Sequence, residues 1–269
     1  MHLHCTFCAF QKVIAMKKTY RLNRALRFLT GRRRPHTVAI LLAGGSGSRM
    51  QSKDGTTKQL MQICGLPVLV HTARAFDACP YIDEIIIVAR REEIHTVEGL
   101  ARTYGIRKFR CAVAGRDTRQ LSALAGFEAI DGKKTKFVAI HDVARCTVTP
   151  DMIADVVAAA HATGAAAAAS RVVDTVKRAD ASGYVTETLD REALWLAATP
   201  QVFSEALYRA AAYTAVKAGF TATDDMMLCE RIGQRVKLID CGSENFKITT
   251  PPDILRAEAI LRSREEGSK

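Results

Sequence analysis

The stretch TVAILLAGGSGSRM, residues 37–50, joins an apolar, β-branched run to a loop with three glycines. Such a run predicts a strand that is buried on both faces, as strands inside parallel sheets are. Gly44, Gly45 and Gly47 remove side chains from the turn that follows, so that backbone N–H groups can point together at an anion. The stretch predicts a parallel sheet with an anion-binding loop after this strand.

The glycine loop fits neither of two common phosphate-binding templates. The dinucleotide fingerprint GxGxxG would need a glycine at Met50, and no GK[ST] sequence follows for a P-loop. Two cations beside the glycines nevertheless favour a polyphosphate ligand: Arg49 lies within the loop and Lys58 follows it. Arginine can bind a phosphate through two N–H groups, whereas lysine supplies a compact charge.

The wider pattern predicts an α/β fold. From residue 37 onward, apolar runs such as EIIIVAR and KFVAIHDVA alternate with longer amphipathic stretches. This alternation predicts an open, doubly wound, mostly parallel sheet of the Rossmann-like kind. Between residues 171 and 203 the segments DTVKRAD, SGYVTETLD and LAATPQVF are short and separated by turns, which predicts a projecting β-arm. Two helices, a strand and a last helix are expected after the arm.

The segment HDVAR, residues 141–145, follows the apolar strand KFVAI. Open α/β sheets bind ligands at the carboxyl ends of their strands, where Asp142 is expected to lie. A carboxylate is a hard oxygen ligand that suits Mg²⁺ bridging phosphates, although a capping aspartate at the surface is the alternative. We expect His141 to be structural and Cys146 to be an unreactive thiol.

A third set of polar residues lies in and around the predicted arm. It comprises Thr175, Arg191, Thr199 and, later in the chain, Lys247. Each is commonplace alone, but together they offer cations and hydroxyls to a second phosphate and to polyol hydroxyls. The sequence thus predicts an acceptor site beside a nucleotide site.

Most of the net charge of +11 belongs to the N-terminal tail. Residues 1–36 contain nine basic residues and no acidic ones, so the remaining 30 basic and 28 acidic side chains give residues 37–269 a charge of about +2. The tail is consistent with a targeting helix, with a contact to nucleic acid or anionic membrane, or with an unstructured extension, and we favour the last. The body itself gives no reason to expect nucleic acid as a partner.

The cysteine and hydropathy patterns predict a soluble cytoplasmic protein. Eight cysteines are scattered along the chain, unlike the dense spacing of a small secreted scaffold. The sequence contains no apolar run long enough to cross a membrane, and the first residues lack the order of a secretory signal. We therefore expect one domain over residues 37–269, preceded by a disordered extension over residues 1–36.

Eight motifs occur in the order seen in 2-C-methyl-D-erythritol 4-phosphate cytidylyltransferases, and the chain resembles this family from about residue 38 to residue 259. The motifs are LAGGSGSRM with a following lysine, GRDTRQLSALAG, HDVAR, DTVKRA, LDREALW, ATPQ, TDDMMLCE and NFKITTP. The resemblance implies transfer of cytidylate from CTP to methylerythritol 4-phosphate in non-mevalonate isoprenoid synthesis. It also implies a homodimer in which the arm reaches the neighbouring subunit.

The resemblance also implies roles for individual residues. Arg49, Lys58 and Lys247 would be catalytic, and Asp142 would hold Mg²⁺. The cytidine site would be formed by Ala43, Gly44, Gly45, Gly47, Gly115, Asp117 and Ser122. The acceptor would be bound by Arg145, Thr175, Arg191, Thr199 and Thr223, with help from Lys247. A phosphate dianion is already a competent nucleophile, so no general base is expected.

Some positions depart from the family pattern. The loop between Arg49 and Lys58 is two residues longer than expected, Thr57 replaces a proline, and Arg116 follows Gly115 where a second glycine is usual. Two alternatives remain open at this stage. One is a ribitol 5-phosphate cytidylyltransferase, and the other is a non-catalytic nucleotide-binding regulator.

Overall fold

The computed structural model describes residues 34–44 and 57–267. Its strands are β1 (Thr37–Leu42), β2 (Gln62–Ile63), β3 (Leu66–Pro67), β4 (Glu84–Ala89), β5 (Phe109–Ala114), β6 (Phe137–Asp142), β7 (Ala165–Arg171), β8 (Lys177–Ala179), β9 (Val185–Thr188), β10 (Trp195–Ser204) and β11 (Lys237–Asp240). Its α-helices are α1 (Val68–Ala78), α2 (Ile94–Thr103), α3 (Arg119–Glu128), α4 (Pro150–Thr163), α5 (Glu205–Lys217), α6 (Asp225–Arg231) and α7 (Pro251–Glu266). Short 3-10 turns lie at Arg91–Glu93 and Arg191–Ala193.

The central sheet has seven strands in the order β11-β7-β10-β6-β1-β4-β5. Strand β1 pairs in parallel with β4 on one side and with β6 on the other. Only β10, among the strands of this sheet, runs antiparallel to its neighbours β6 and β7. The predicted α/β class and mostly parallel sheet are confirmed.

Helix α3 packs unusually close to the sheet through Gly126. A Cβ atom built on Gly126 would lie 2.4 Å from Cγ2 of Ile40 and 2.8 Å from Cγ2 of Val88. The next residue, Phe127, packs against Tyr208 with ring centroids 5.1 Å apart. The missing side chain therefore lets α3 approach β1 and β4 closely, which brings its first residues to the carboxyl ends of these strands.

The helix boundaries follow from recognisable capping residues. Thr118, Thr149 and Ser204 each accept a hydrogen bond from a backbone N–H in the first turn of α3, α4 and α5. Helix α4 has Pro150 in its first turn and ends at Gly164, whose φ of +87° favours glycine. The sequence already contained these start and stop signals.

The arm is shorter than the sequence predicted. The two short strands β8 and β9 form an exposed antiparallel hairpin, as expected. The extension of the arm to residue 203 is wrong, because β10 lies inside the central sheet and is buried from Ala198 to Phe203. The segment LAATPQVF looked like an arm strand because no helix precedes it, whereas an antiparallel return strand needs no crossover helix.

The N-terminal extension predicted over residues 1–36 lies outside the described residues up to residue 33. Its disorder and the domain boundary after residue 36 remain predictions. Within the described part of the chain, none of the helices has the length and apolar character that a membrane span requires.

Candidate active site

A cavity of about 350 Å³ opens at the carboxyl ends of β1 and β6, where Leu42 and Asp142 are paired in register. The N-terminus of α3 also faces this cavity through Thr118 and Arg119. Its lining includes four residues predicted for the nucleotide site, Ala43, Gly44, Asp117 and Ser122. It also includes three residues predicted to act on phosphate or metal, Lys58, Asp142 and Lys247. Parallel α/β sheets bind ligands at this edge.

Asp142 lies between two cations at the centre of the site. Arg119 Nε donates to its Oδ1 at 3.0 Å, and Lys247 Nζ donates to its Oδ2 at 2.8 Å. Burial alone would raise the pKa of Asp142, but the charges of Arg119 and Lys247 lower this pKa well below its usual range. Asp142 is therefore a permanent carboxylate and not the capping residue that was the alternative.

His141 and Thr199 hold the backbone of Asp142 in place. The Asp142 N–H donates to Thr199 Oγ1 at 3.0 Å, so the hydroxyl proton of Thr199 is free to donate to His141 Nδ1, also at 3.0 Å. The other ring nitrogen, Nε2, then carries the proton and faces the carbonyl of Arg145 at 3.4 Å. Burial lowers the pKa of His141 to about 3, so the ring is neutral and structural.

Lys58 and Lys247 come together through one short segment. Lys58 Nζ donates to the carbonyl oxygen of Ile248 at 2.7 Å. The Ile248 N–H in turn donates to the carbonyl of Ala144 at 2.9 Å, which ties the segment to the end of β6. Both lysines therefore border the same cavity, although they are far apart in the sequence.

The replacement of proline by Thr57 has a structural counterpart. Thr57 Oγ1 donates to Glu93 Oε1 at 2.6 Å, and Gln59 Nε2 donates to Glu93 Oε2 at 2.9 Å. Glu93 is buried and belongs to the 3-10 turn before α2. Two hydrogen bonds thus anchor the chain just before and after Lys58.

Ser122 closes the loop that follows β5. Its Oγ accepts from the Arg116 N–H at 2.9 Å and donates to the Arg116 carbonyl at 3.0 Å. A Cβ on Gly115 would lie 3.0 Å from this oxygen, so the loop fits closely against α3 only with glycine there. Asp117 is exposed and lines the cavity.

A second cavity adjoins the first and shares Arg119, Asp142 and Lys247 with it. Three residues predicted for the acceptor line this second cavity, namely Arg145, Thr199 and Thr223. Arg145 is fixed by a hydrogen bond from its Nη1 to the carbonyl of Asn245 at 2.9 Å. Two polar cavities therefore meet at the Asp142 carboxylate.

The remaining predicted residues are not placed in these cavities, and Gly115 lies next to the first cavity without lining it. Thr175 and Arg191 lie on the exposed arm and line neither one, and Arg191 Nη1 donates to the carbonyl of Val173 at 2.9 Å. Gly45, Gly47 and Arg49 lie outside the described residues.

A family model described as 2-C-methyl-D-erythritol 4-phosphate cytidylyltransferase matches residues 37–263. A protein of that name from Syntrophus aciditrophicus is 42% identical over 235 residues, which cover 87% of this chain and 99% of the relative. Another from Geobacillus kaustophilus is 40% identical over 226 residues, covering 84% and 97%. The chain belongs to the 2-C-methyl-D-erythritol 4-phosphate cytidylyltransferase family.

Solved structures agree with this membership. A structure described as 4-diphosphocytidyl-2C-methyl-D-erythritol synthase from Anaerococcus prevotii matches with a TM-score of 0.76 at 30% identity, over 85% of this chain and 96% of that one. A methylerythritol phosphate cytidylyltransferase from Thermus thermophilus matches with a TM-score of 0.68, also at 30% identity, over 83% and 98%. The resemblance drawn from the motifs is confirmed, and the chain is a cytidylyltransferase.

Sequence reasoning missed several residues of this cytidylyltransferase site. Arg119 lines both cavities, yet it was read only as part of the motif GRDTRQ. Its position directly after the cap residue Thr118, at a strand-to-helix turn, was the available signal. Asp225 accepts a hydrogen bond from Arg119, and Gln201 accepts one from the backbone N–H of Asp225. Nothing local in the sequence predicts these contacts.

The donor set fits Mg²⁺ that arrives with a nucleotide. Magnesium commonly takes one or two carboxylates together with substrate phosphates and water. Within residues 34–44 and 57–267 there is no group of three His, Cys, Asp or Glu side chains that could hold a metal alone. Asp142, which borders both cavities, is the carboxylate suited to share such an ion with a triphosphate.

Proposed function

We propose that the protein transfers cytidylate from CTP to 2-C-methyl-D-erythritol 4-phosphate in non-mevalonate isoprenoid precursor synthesis. The observation that carries this proposal is the meeting of two polar cavities at Asp142, Arg119 and Lys247. A phosphate in each cavity would bring a nucleophile and an α-phosphorus to one cationic point. The name of the family supplies the acceptor and favours methylerythritol phosphate over ribitol 5-phosphate.

The proposed chemistry is alignment and charge stabilisation. An oxygen of the acceptor phosphate attacks the α-phosphorus of CTP, the bond from that phosphorus to the bridging oxygen breaks, and pyrophosphate leaves. Lys58, Lys247 and Arg49 stabilise the charge that develops on the phosphoryl oxygens. When bound at Asp142, Mg²⁺ would neutralise phosphate charge. The neutral His141 accepts no proton in this scheme, since a phosphate dianion needs no base.

The nucleotide is proposed to lie along the glycine loop and the loop after β5. Ala43, Gly44, Gly45 and Gly47 offer backbone groups to the phosphates and the base. Asp117 and Ser122 border the other side, and Ser122 holds the loop that contains Gly115 in shape. Arg145, Thr199 and Thr223 are proposed to bind the acceptor.

We further propose a homodimer whose arms complete the neighbouring sites. Thr175 and Arg191 are exposed and line neither cavity of their own chain. The arm also exposes apolar side chains, with Val173 77% and Tyr184 75% accessible. Exposed apolar area of this kind is typical of a surface that another chain covers. A cytoplasmic location remains a prediction, which the scattered positions of the cysteines along the chain support.

The test is pyrophosphate release by the purified protein with CTP and Mg²⁺, comparing methylerythritol 4-phosphate with ribitol 5-phosphate. We expect release that depends on acceptor and strongly prefers methylerythritol 4-phosphate. A preference for ribitol 5-phosphate would overturn the assignment of the acceptor, but the proposed transfer of cytidylate from CTP would stand. If neither acceptor supported pyrophosphate release, the result would contradict the proposal and favour a non-catalytic nucleotide-binding regulator.

A further inference from the structure

Asp225 is a buried carboxylate behind the active site that the proposed chemistry does not use. Its side chain is 1% exposed, and its Oδ1 accepts a hydrogen bond from the hydroxyl of Tyr208 at 3.0 Å. The Asp225 N–H donates to Gln201 Oε1 at 3.0 Å, which fixes the backbone as well. Asp225 is therefore held on two sides before it contacts the site.

Arg119 connects this carboxylate to Asp142. Its Nη1 donates to Asp225 Oδ2 at 2.7 Å, while its Nε donates to Asp142 Oδ1 at 3.0 Å. Burial alone would lower the pKa of Arg119, but the charges of Asp225 and Asp142 outweigh this effect and raise the pKa above its usual value. The side chain is therefore always charged. One guanidinium thus divides its hydrogen bonds between two acids.

This division limits how Arg119 binds Asp142. A guanidinium that faces a single carboxylate commonly makes two parallel N–H···O bonds, which would occupy both carboxylate oxygens. With Nη1 anchored on Asp225, only Nε of Arg119 bonds to Asp142, and the buried Nη2 makes no hydrogen bond within the described residues. The other oxygen, Oδ2, contacts Lys247, whose side chain is 38% exposed. A phosphate that enters the cavity can draw this lysine away, whereas Arg119 is fixed from behind.

We propose that Asp225, held by Tyr208 and Gln201, is a positioning residue that turns Arg119 so that Asp142 keeps one carboxylate oxygen for the ion accompanying CTP. This inference rests on the proposed role of Asp142 as a metal ligand. Its consequence is electrostatic and specific. Without the charge of Asp225, Arg119 turns fully onto Asp142 and the site gains one net positive charge. Free CTP should then bind as well or better, while Mg²⁺ should help CTP less.

The experiment measures CTP dissociation constants by calorimetry in EDTA and in Mg²⁺, with the full-length protein. The dissociation constant in EDTA divided by that in Mg²⁺ reports the coupling between metal and nucleotide. Each variant is compared with the ratio that the wild type gives. We expect Asp225→Asn to lower this ratio about tenfold relative to wild type, with CTP affinity in EDTA unchanged or higher. Asp142→Asn should lower the ratio at least as much.

Tyr208→Phe is the matched control, because it removes a hydrogen bond to Asp225 but keeps the charge and the ring. We expect its ratio to stay within about twofold of wild type while its thermal midpoint falls. If Asp225→Asn does not fold, Asp225→Ser replaces it, since serine is also polar and also removes the charge that anchors Nη1 of Arg119. Asp225→Ser should also lower the ratio.

The outcomes separate this inference from the proposed function. An unchanged ratio in Asp142→Asn would remove the metal role of Asp142 and this inference with it. A lowered ratio in Asp142→Asn, with a wild-type ratio in Asp225→Asn or in its Asp225→Ser substitute, would overturn only the positioning role. An equal fall in Tyr208→Phe and Asp225→Asn would also overturn it, because packing and not charge would then set the coupling.

Discussion

Asp142 and His141 are adjacent in β6, yet their surroundings give them opposite charge states. Burial keeps His141 neutral, and two cations keep Asp142 ionised. The sequence predicted both roles from their place at the end of an apolar strand. It could not predict the cations, because Arg119 and Lys247 come from positions 23 and 105 residues away. Such partners are set by the fold and not by local spacing.

Lys58→Ala tests the cationic side of the site. We expect turnover to fall by about two to three orders of magnitude, the usual effect of losing one transition-state donor. The same fall is expected for Arg49→Ala. Lys133→Ala, in an exposed turn before β6, is the control and should keep wild-type turnover. Near-normal turnover in either active-site variant would contradict its assignment.

Thr199→Val tests the hydroxyl that links Asp142 to His141. The change keeps the shape but leaves the Asp142 N–H and His141 Nδ1 without their partner. We expect the free energy of unfolding, measured with denaturant, to fall by about 1–3 kcal/mol. Thr199→Ser keeps a hydroxyl and should recover most of this loss. Equal stability of the valine and serine variants would rule out the hydrogen-bonding role.

At the scale of elements, the alternation of apolar runs and amphipathic stretches was sufficient to predict the strands and helices of the sheet. It failed at β10, where the first residues are exposed and the last are buried. The pairing of β10 between β6 and β7 depends on partners that precede it by many residues. Local pattern therefore predicted that a strand exists there, but not which sheet it joins.

Gly126→Ala tests the close approach of α3 to the sheet. Alanine is the better helix former, yet its Cβ would overlap Ile40 and Val88. We expect a loss of about 1–3 kcal/mol in the free energy of unfolding because the overlap forces the helix or the side chains to move. The control is Gly99→Ala in α2, where an added Cβ meets no atom within 4 Å.

Gly99→Ala should leave stability unchanged or raise it by about 0.5–1 kcal/mol, as helix propensity predicts. If both alanine variants changed stability in the same direction and by the same amount, the close contact at Gly126 would not be the determining factor. Denaturant unfolding of both proteins under one set of conditions provides the comparison.

At the scale of the whole molecule, the described chain brings most of the predicted residues of its body to the two cavities, whereas Thr175 and Arg191 lie at the surface. In the proposed homodimer, one cytidylyltransferase chain supplies most of one site and part of another. Sequence could suggest this arrangement only through family resemblance, since no spacing encodes a partner. The arm's exposed apolar side chains, such as Val173 and Tyr184, support the proposed dimer.

Mixing two inactive variants tests the shared site. Arg191→Ala damages the arm and Lys58→Ala damages the body, so each homodimer should be nearly inactive. In a mixed dimer, one site combines an intact body with an intact arm. Random exchange of subunits should restore about a quarter of wild-type activity, because half the dimers are mixed and each has one good site. Activity that remains at the level of the separate variants after exchange would contradict the shared site.

The central claim is that a phosphate in one cavity attacks the α-phosphorus of a nucleotide in the other, so that a new P–O–P bond forms. Phosphorus NMR of a reaction with CTP, Mg²⁺ and 2-C-methyl-D-erythritol 4-phosphate observes that bond directly. We expect two mutually coupled diphosphate resonances to appear in step with pyrophosphate, and to depend on the acceptor. Formation of CMP and pyrophosphate without such a pair of resonances would contradict the account, because the enzyme would then be hydrolysing CTP instead of joining it to the acceptor.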